Sequence, residues 1–420
     1  MNHFTVSLLL LAFLLIIFFI NRQYSLLLTL TAIFTFELFF IIGSLPIWGV
    51  FAVIYFVLSY KYYYKVKIPL LFPLSICYLS YVVSFLLGEH NSIPPLVNPF
   101  YLILLYVATC VTYRPTIKTN NIYLIIIIVY STSSIIYATY EAFSFDKPFF
   151  NWIVSTGLDI KEQSESQVRY GLWRAQGFTR WFTFFALSNC ISYIMMSNMA
   201  IRLRMTSINK YVAAFLCIVF LYGIILTADR TAIATSLLAS LSLASLLRKK
   251  NNIPLMIAIV LLFIFVYITL ADFIDEVVFS MTHSDEVSGS SLDMRIMQFK
   301  AAYKYIEMSP IWGHGLYSTD HAIKMFPSLL GSESFVFNVM YQRGVIGITC
   351  SLFLFLYTII FFINKKCYSI LTIYLSFVFY NIVTLPVWEF LIYPYLIILY
   401  KNQIVEKRQL KKEILLKRVR

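Results

Sequence analysis

The chain has 420 residues, of which 60% are hydrophobic and only 13% charged, and its mean hydropathy is +0.79. An average soluble domain carries roughly 25% charged residues, so a water-soluble fold of this length would leave much of its apolar surface wet, and the same figures exclude intrinsic disorder. Lys and Arg number 33 against 20 Asp and Glu, a formal charge of +13, and its placement along the chain decides between a nucleic-acid surface and membrane topology.

Apolar runs recur at about 4–20, 25–43, 46–60, 68–87, 99–113, 121–143, 180–198, 211–228, 231–247, 253–271, 334–363, 368–384 and 387–400. They do not alternate apolar with polar residues, so they predict helices and not the strands of a spanning barrel. At ~20 apolar residues per span, the chain is expected to be an all-α polytopic membrane protein with about 12 transmembrane helices (11–13). Residues 1–400 then form one membrane domain. Gly43, Ser44, Leu45 and Pro46 interrupt the second and third runs, which leaves open whether these are two spans or one broken element. The first run lacks a basic start and a small-residue cleavage site, so it reads as a span and not a removed signal peptide. Cys77, Cys110, Cys190, Cys217, Cys350 and Cys367 fall in or at the ends of apolar runs without metal-ligand spacing, and they read as small core residues.

Basic residues cluster in every second connection: Lys61, Lys65 and Lys67, then Arg114 and Lys118, then Arg202, Arg204 and Lys210, then Arg248, Lys249 and Lys250, then Lys365 and Lys366. These connections share one side, which the positive-inside bias makes cytoplasmic. Topology therefore explains most of the positive excess, and no nucleic-acid partner is expected. The segment 401–420 mixes basic with apolar residues and reads as a basic cytoplasmic tail, a helix along the inner leaflet. The other connections face outward, and two of them, at about 144–179 and 272–333, are far longer than topology needs, which marks functional elements.

Arginines stand out in these outward segments, against the positive-inside bias: Arg169, Arg174 and Arg180 in the first long loop, Arg230 at the start of a span, and Arg295 in the second long loop. Three of them have a nearby acid as an alternative partner, Asp229 for Arg230, Asp293 for Arg295, and Glu162 or Glu165 for Arg169. Together they suit a lipid-linked phosphate or diphosphate, because a guanidinium fork matches phosphate oxygens and keeps its charge. Ser290 to Asp293 has the pattern of a capping box, and helical spacing follows from Leu292 to Met308. On that helix Arg295, Gln298, Ala302 and Tyr305 share one stripe, with Ile296, Phe299, Tyr303 and Ile306 on another. Ser309 and Pro310 stop it, and Gly313-His314-Gly315 permits tight turns near a ligand. Glu333 stands at the outer mouth of the next span, where a partly desolvated carboxylate can take a proton from a substrate hydroxyl; a helix-start Glu favoured by the dipole is the alternative. Gly344 and Gly347 suggest close helix packing. Glu37 and Glu389 lie inside apolar runs, where an ionisable group is costly, but their spacing suggests no proton relay. His90, His283, His314 and His321 are external without metal-ligand spacing, and His314 is the best site candidate among them.

With these segments placed, the chain resembles the O-antigen polymerase/O-antigen ligase superfamily, Wzy-type and WaaL-type bacterial membrane glycosyltransferases of GT-C type. Leu226-Thr-Ala-Asp-Arg230-Thr-Ala resembles the family's Thr-x-Ser-Arg-x-Ala segment, with Asp229 in place of Ser. Arg295 through Pro310 to Gly313-x-Gly315 is similar to its Arg…Pro-x-x-Gly-x-Gly segment, and Glu333-Ser334, nine residues and Gly344-x-x-Gly347 to the ligase's His-[Asn/Ser/Gln]-x9-Gly-x-x-Gly, with Glu333 in the histidine position. That departure favours a polymerase over a ligase to lipid A core.

The resemblance implies an enzyme of the bacterial inner membrane, with its site facing the periplasm or exterior. It would transfer a glycan from an undecaprenyl-diphosphate carrier to a lipid-linked acceptor, with inversion and with no metal or cofactor. Glu333, Arg230 and Arg295 would be catalytic, and Arg169, Arg174, Arg180, His314 and Tyr305 would bind substrate. Expected partners are undecaprenyl-diphosphate-linked glycans, membrane lipids and a chain-length regulator protein. A transporter of lipid-linked glycans is the alternative from another class, although the halves show no convincing repeat.

Overall fold

In the computed structural model the described residues are 3–39, 41–42, 45–59, 66–155, 168–169, 172–179, 182–202, 207–227, 229–247, 292–326, 334–383 and 389–419. They form the helices α1 (His3–Ile20), α2 (Arg22–Phe39), α3 (Ile47–Leu58), α4 (Leu71–Leu87), α5 (Ile93–Thr112), α6 (Ile117–Ser144), α7 (Pro148–Ser155), α8 (Phe182–Arg202), α9 (Ser207–Ile225), α10 (Arg230–Leu247), α11 (Leu292–Glu307), α12 (Thr319–Met325), α13 (Phe335–Asn364), α14 (Tyr368–Val383) and α15 (Tyr393–Val419). Two short antiparallel ladders interrupt the helices, β1 (Ile41–Ile42) with β2 (Leu45–Pro46) and β3 (Val168–Arg169) with β4 (Leu172–Trp173).

Among the described residues, Ile93–Thr112, Ile125–Ser144 and Phe335–Asn364 are long and apolar enough to cross a membrane, and shorter apolar helices such as Leu71–Leu87 and Tyr368–Val383 accompany them. Their outward surfaces are apolar: Phe19, Leu86, Ile136, Phe143 and Ile360 are all exposed. This is the surface of a helical membrane protein, whose lipid-facing side chains need no polar cover. Of the expected spans, the one at 253–271 lies outside the described residues. The open question at Gly43–Pro46 resolves into two elements, because the Tyr55 hydroxyl near the end of α3 donates to the Arg22 carbonyl at the start of α2 at 3.1 Å. The chain reverses through β1 and β2, and α3 returns antiparallel to α2. The basic segment 401–419 continues α15 without a break instead of starting a separate helix.

The described basic connections meet at one end of the bundle. Lys401 reaches back to the last carbonyls of α5, donating to Tyr113 at 2.8 Å and to Cys110, and the Tyr113 hydroxyl donates to Asn402 Oδ1 at 3.0 Å. Lys407 donates to the carbonyls of Lys365 and Lys366 at 3.4 Å. Cations thus satisfy carbonyls that helix ends leave without intrahelical partners. Inside the bundle tyrosines carry the polar load in pairs: Tyr393 lies 3.0 Å from the Tyr374 hydroxyl and 3.1 Å from Thr358 Oγ1, as buried hydroxyls require.

Candidate functional site

At the other end of the bundle the segment after β4 folds into the turn 174–179 and closes over the α9–α10 junction. Glu141, near the end of α6, accepts the backbone N–H groups of Gln176 and Gly177 at 2.9 and 2.8 Å. Gly177 takes φ 57°, and a Cβ there would come within 2.6 Å of Ser134 Oγ. The buried Arg174 donates through Nε to the Thr227 carbonyl at 3.0 Å, and its guanidinium carbon lies 3.3 Å from the centre of the Phe182 ring. Only residues 226–229 separate α9 from α10.

Asp229 opens α10. Its Oδ1 accepts the N–H groups of Thr231 and Ala232 at 2.9 and 3.1 Å, an N-cap by a carboxylate at the positive end of the helix. Its Oδ2 accepts the Tyr380 hydroxyl at 2.9 Å, and the Thr183 carbonyl lies 3.0 Å from the same hydroxyl. Asp229 is therefore engaged by the α10 backbone and by α14. Two residues after Tyr380, the carbonyl of Ile382 accepts the Ser334 hydroxyl at 2.7 Å. The last turns of α14 thus hold both the residue before Arg230 and the residue after Glu333.

A joint between α13 and the loop that follows α11 completes this end. Gly344 has φ 59° and ψ −155°, a conformation essentially confined to glycine, and the helix opens there. In an unbroken helix the N–H groups of Val345 and Ile346 would donate to Tyr341 and Gln342. They donate instead to Pro310 and Ile311, at 2.9 and 3.1 Å. The freed Tyr341 carbonyl accepts from His314 N–H at 2.8 Å and the Ser318 hydroxyl at 3.3 Å, and the freed Gln342 carbonyl from Gly315 N–H at 3.2 Å and the Ser84 hydroxyl. A Cβ on Gly313 would lie 2.5 Å from the Gln342 carbonyl carbon, and one on Gly344 would lie 2.6 Å from the Ile311 oxygen. The two glycine motifs are the two halves of this joint. Gly313 and Gly315 serve backbone docking, and Gly344 opens its helix where close helix packing was expected. Asn91 ties the joint to the end of α4, donating to Phe85 and Gly88 and accepting the Leu316 N–H at 3.0 Å.

The expected helix after residue 290 is present as α11 and stops at Ser309–Pro310 as predicted. Its stripe of Gln298, Ala302 and Tyr305 is buried, while Ile296, Phe299 and Tyr303 are exposed. Phe299 lies 5.9 Å from Phe337 and Tyr305 lies 6.1 Å from Tyr341, centroid to centroid. The two helices therefore run side by side in the same direction, and the first turn of α11, which contains Arg295, is level with the start of α13 at Ser334. Tyr305 stacks on His314 at 4.0 Å, and its hydroxyl lies 3.1 Å from His321 Nδ1; His321 stacks on His90 at 3.9 Å. His314 Nε2 lies 2.7 Å from the Tyr305 carbonyl. Burial and the charge of Glu89 push the Tyr305 hydroxyl up to about 12, so it remains a proton donor. Tyr305 and His314 are buried against each other, while His90 and His321 are the more open rings of the stack.

Of the remaining candidates, Arg169 pairs in β3, and for Arg169, Arg230 and Arg295 the description is confined to the backbone. Arg180, Glu333 and His283, and the side chain of Glu37, lie outside the described residues. Among the described residues no group of three metal-ligating side chains gathers.

Sequence reasoning missed Arg343. It sits one residue before the break in α13, its side chain 1% exposed, and pairs with Glu389 at 2.9 Å. Nη1 also donates to Ser80 at 3.0 Å and Nη2 to Ser351 at 3.4 Å, and the guanidinium lies 3.9 Å from the Tyr81 ring centre. Glu389 further accepts from Ser351 at 2.8 Å and from the Cys77 thiol at 3.1 Å. Gly347 leaves room for the arginine, since a Cβ there would lie 2.3 Å from Arg343 Cβ. The signal was available: an arginine and an unexplained glutamate in two apolar runs predict each other as partners.

No curated protein matches the chain. Residues 215–352, from α9 through the joint and into the lower part of α13, match the family model Wzy_C, described as O-antigen ligase. Over this stretch the chain is similar to the O-antigen ligase domain, a match that supports the O-antigen polymerase/ligase superfamily.

Proposed function

We propose that the protein is a polysaccharide repeat-unit polymerase of the bacterial inner membrane. It moves a glycan from an undecaprenyl-diphosphate carrier to the non-reducing end of a second lipid-linked repeat unit, on the outer side. Glu333 takes the proton of the acceptor hydroxyl, whose oxygen attacks the anomeric carbon from the face opposite the diphosphate. The bond to the diphosphate oxygen breaks, and the configuration inverts. Arg230 and Arg295, with Arg174 or Arg180, hold the diphosphate and stabilise its charge as it leaves; Arg169 contributes at the mouth of the site. A diphosphate is already a good leaving group, so the step needs neither metal nor nucleotide. His314 and Tyr305 serve by fixing the joint, as their mutual burial suggests.

One observation carries this reading. The sequence neighbours of Arg230 and Glu333, Asp229 and Ser334, both bond to the last turns of α14, and α11 brings the backbone of Arg295 to the same level. The matched domain spans all three positions. Losing one guanidinium should raise the barrier by about 2–4 kcal/mol, by analogy with removal of an oxyanion donor.

The test is purified protein in detergent with lipid-linked repeat units and no vesicle. The wild type should build a ladder of products, and Glu333→Gln, which keeps the shape and removes the base, should not. A wild type that forms no product would favour a transporter. Transfer to lipid A core, but never to another repeat unit, would favour the ligase. A Glu333→Gln protein with a normal ladder would refute the base assignment.

A further inference from the structure

The loop beyond α11 exposes apolar side chains where a water-facing loop would be polar. Met308, Ile311 and Tyr317 are more than half exposed, and Trp312 is 38% exposed. Their height relative to the bilayer follows from α13. Residues 345–364 rise ~30 Å at about 1.5 Å per residue, one hydrocarbon thickness, and end at Lys365 and Lys366. Along this stretch Val345, Leu352, Leu356 and Ile360 form an exposed apolar stripe at helical spacing, the side that faces lipid. The loop is joined to the top of that stripe by backbone hydrogen bonds, Val345 N–H to Pro310 and Ile346 N–H to Ile311. On its other side Tyr317 N–H donates to His90 at 2.8 Å, just past the end of α4, where Leu86 and Leu87 are also exposed. The exposed tip is thus continuous with a lipid-facing surface and lies at its upper edge. Trp and Tyr are the residues enriched at that depth, because an apolar ring with a polar atom suits the headgroup boundary.

We infer that Met308, Ile311, Trp312 and Tyr317 form an interfacial anchor that inserts into the headgroup–acyl boundary of the leaflet at this end of the bundle. The occupant is the lipid bilayer itself. The anchor fixes the height of the joint between Pro310–Gly315 and Gly344, whatever reaction the neighbouring site performs.

Fluorescence of the full-length protein in nanodiscs tests this. The emission lost on Trp312→Phe, measured as a difference spectrum, reports Trp312 alone. In discs whose lipids carry bromine near the headgroup end of the chains, that difference should lose most of its intensity, and less with bromine near the chain ends. Equal intensity in brominated and plain lipid overturns the inference. A photo-crosslinker in place of Tyr317, in an otherwise native chain, decides independently of the tryptophan variant. Adducts with phospholipid support the anchor, whereas adducts only with a second copy of the chain overturn it.

Discussion

Replacing Glu389 with Gln removes one negative charge and leaves the shape of its surroundings nearly unchanged. Arg343 would then keep Ser80, Ser351 and the Tyr81 ring, all neutral, and become a buried cation without a counter-charge. Breaking a buried pair by removing one partner costs about 3–5 kcal/mol. Coulomb's law gives a similar size, about 4 kcal/mol for unit charges ~4 Å apart at an effective dielectric of 20. Replacing both partners with apolar residues should cost much less, because no charge is left unpaired. Thermal unfolding in detergent, followed by size-exclusion chromatography, should therefore rank Glu389→Gln and Arg343→Met each well below the double variant Arg343→Met/Glu389→Leu. If the double variant loses as much as the two singles combined, the pair is not coupled and the reasoning fails. A Glu389→Gln protein as stable as the wild type refutes it as well.

Gly344→Ala places a Cβ 2.6 Å from the Ile311 oxygen at a backbone angle only glycine tolerates; strain of ~1–3 kcal/mol should release the 309–315 loop, seen as new proteolytic cleavage there. Asp229→Ala should cost ~1 kcal/mol or more through the lost cap, whereas Asp229→Asn keeps an acceptor and should melt close to the wild type. Tyr305 stays protonated in the fold to about 12, while an unfolded tyrosine ionises near ~10. Between those values the native state binds the extra proton, so stability should fall as pH rises. Melting curves across this window should show Tyr305→Phe losing less than the wild type, and parallel losses would contradict the assignment.

The arginines, the glycine motifs and the helix from Leu292 were legible because each is a local pattern: a charge against the topological bias, a spacing, a stop at proline. What those patterns do was less legible. Gly313 and Gly344 look like a turn and a packing contact until the Val345 and Ile346 N–H groups are traced to Pro310 and Ile311. The sequence marked Arg174 as a candidate phosphate ligand, but did not show that its Nε also donates to the Thr227 carbonyl. Tyr305 and His314 were legible as candidate substrate contacts, but not their stacking and burial against one another.

Composition and the spacing of the apolar runs determined that the chain is a bundle of apolar helices, with its described basic connections at one end. Transfer of side chains into hydrocarbon adds up segment by segment and needs no knowledge of neighbours. Which helices become neighbours was decided only in three dimensions. Arg343 and Glu389 lie in separate apolar runs, and nothing near either in sequence supplies its counter-charge. A buried polar group must find its partner within the protein, since lipid offers none, and that partner is set by packing across the bundle.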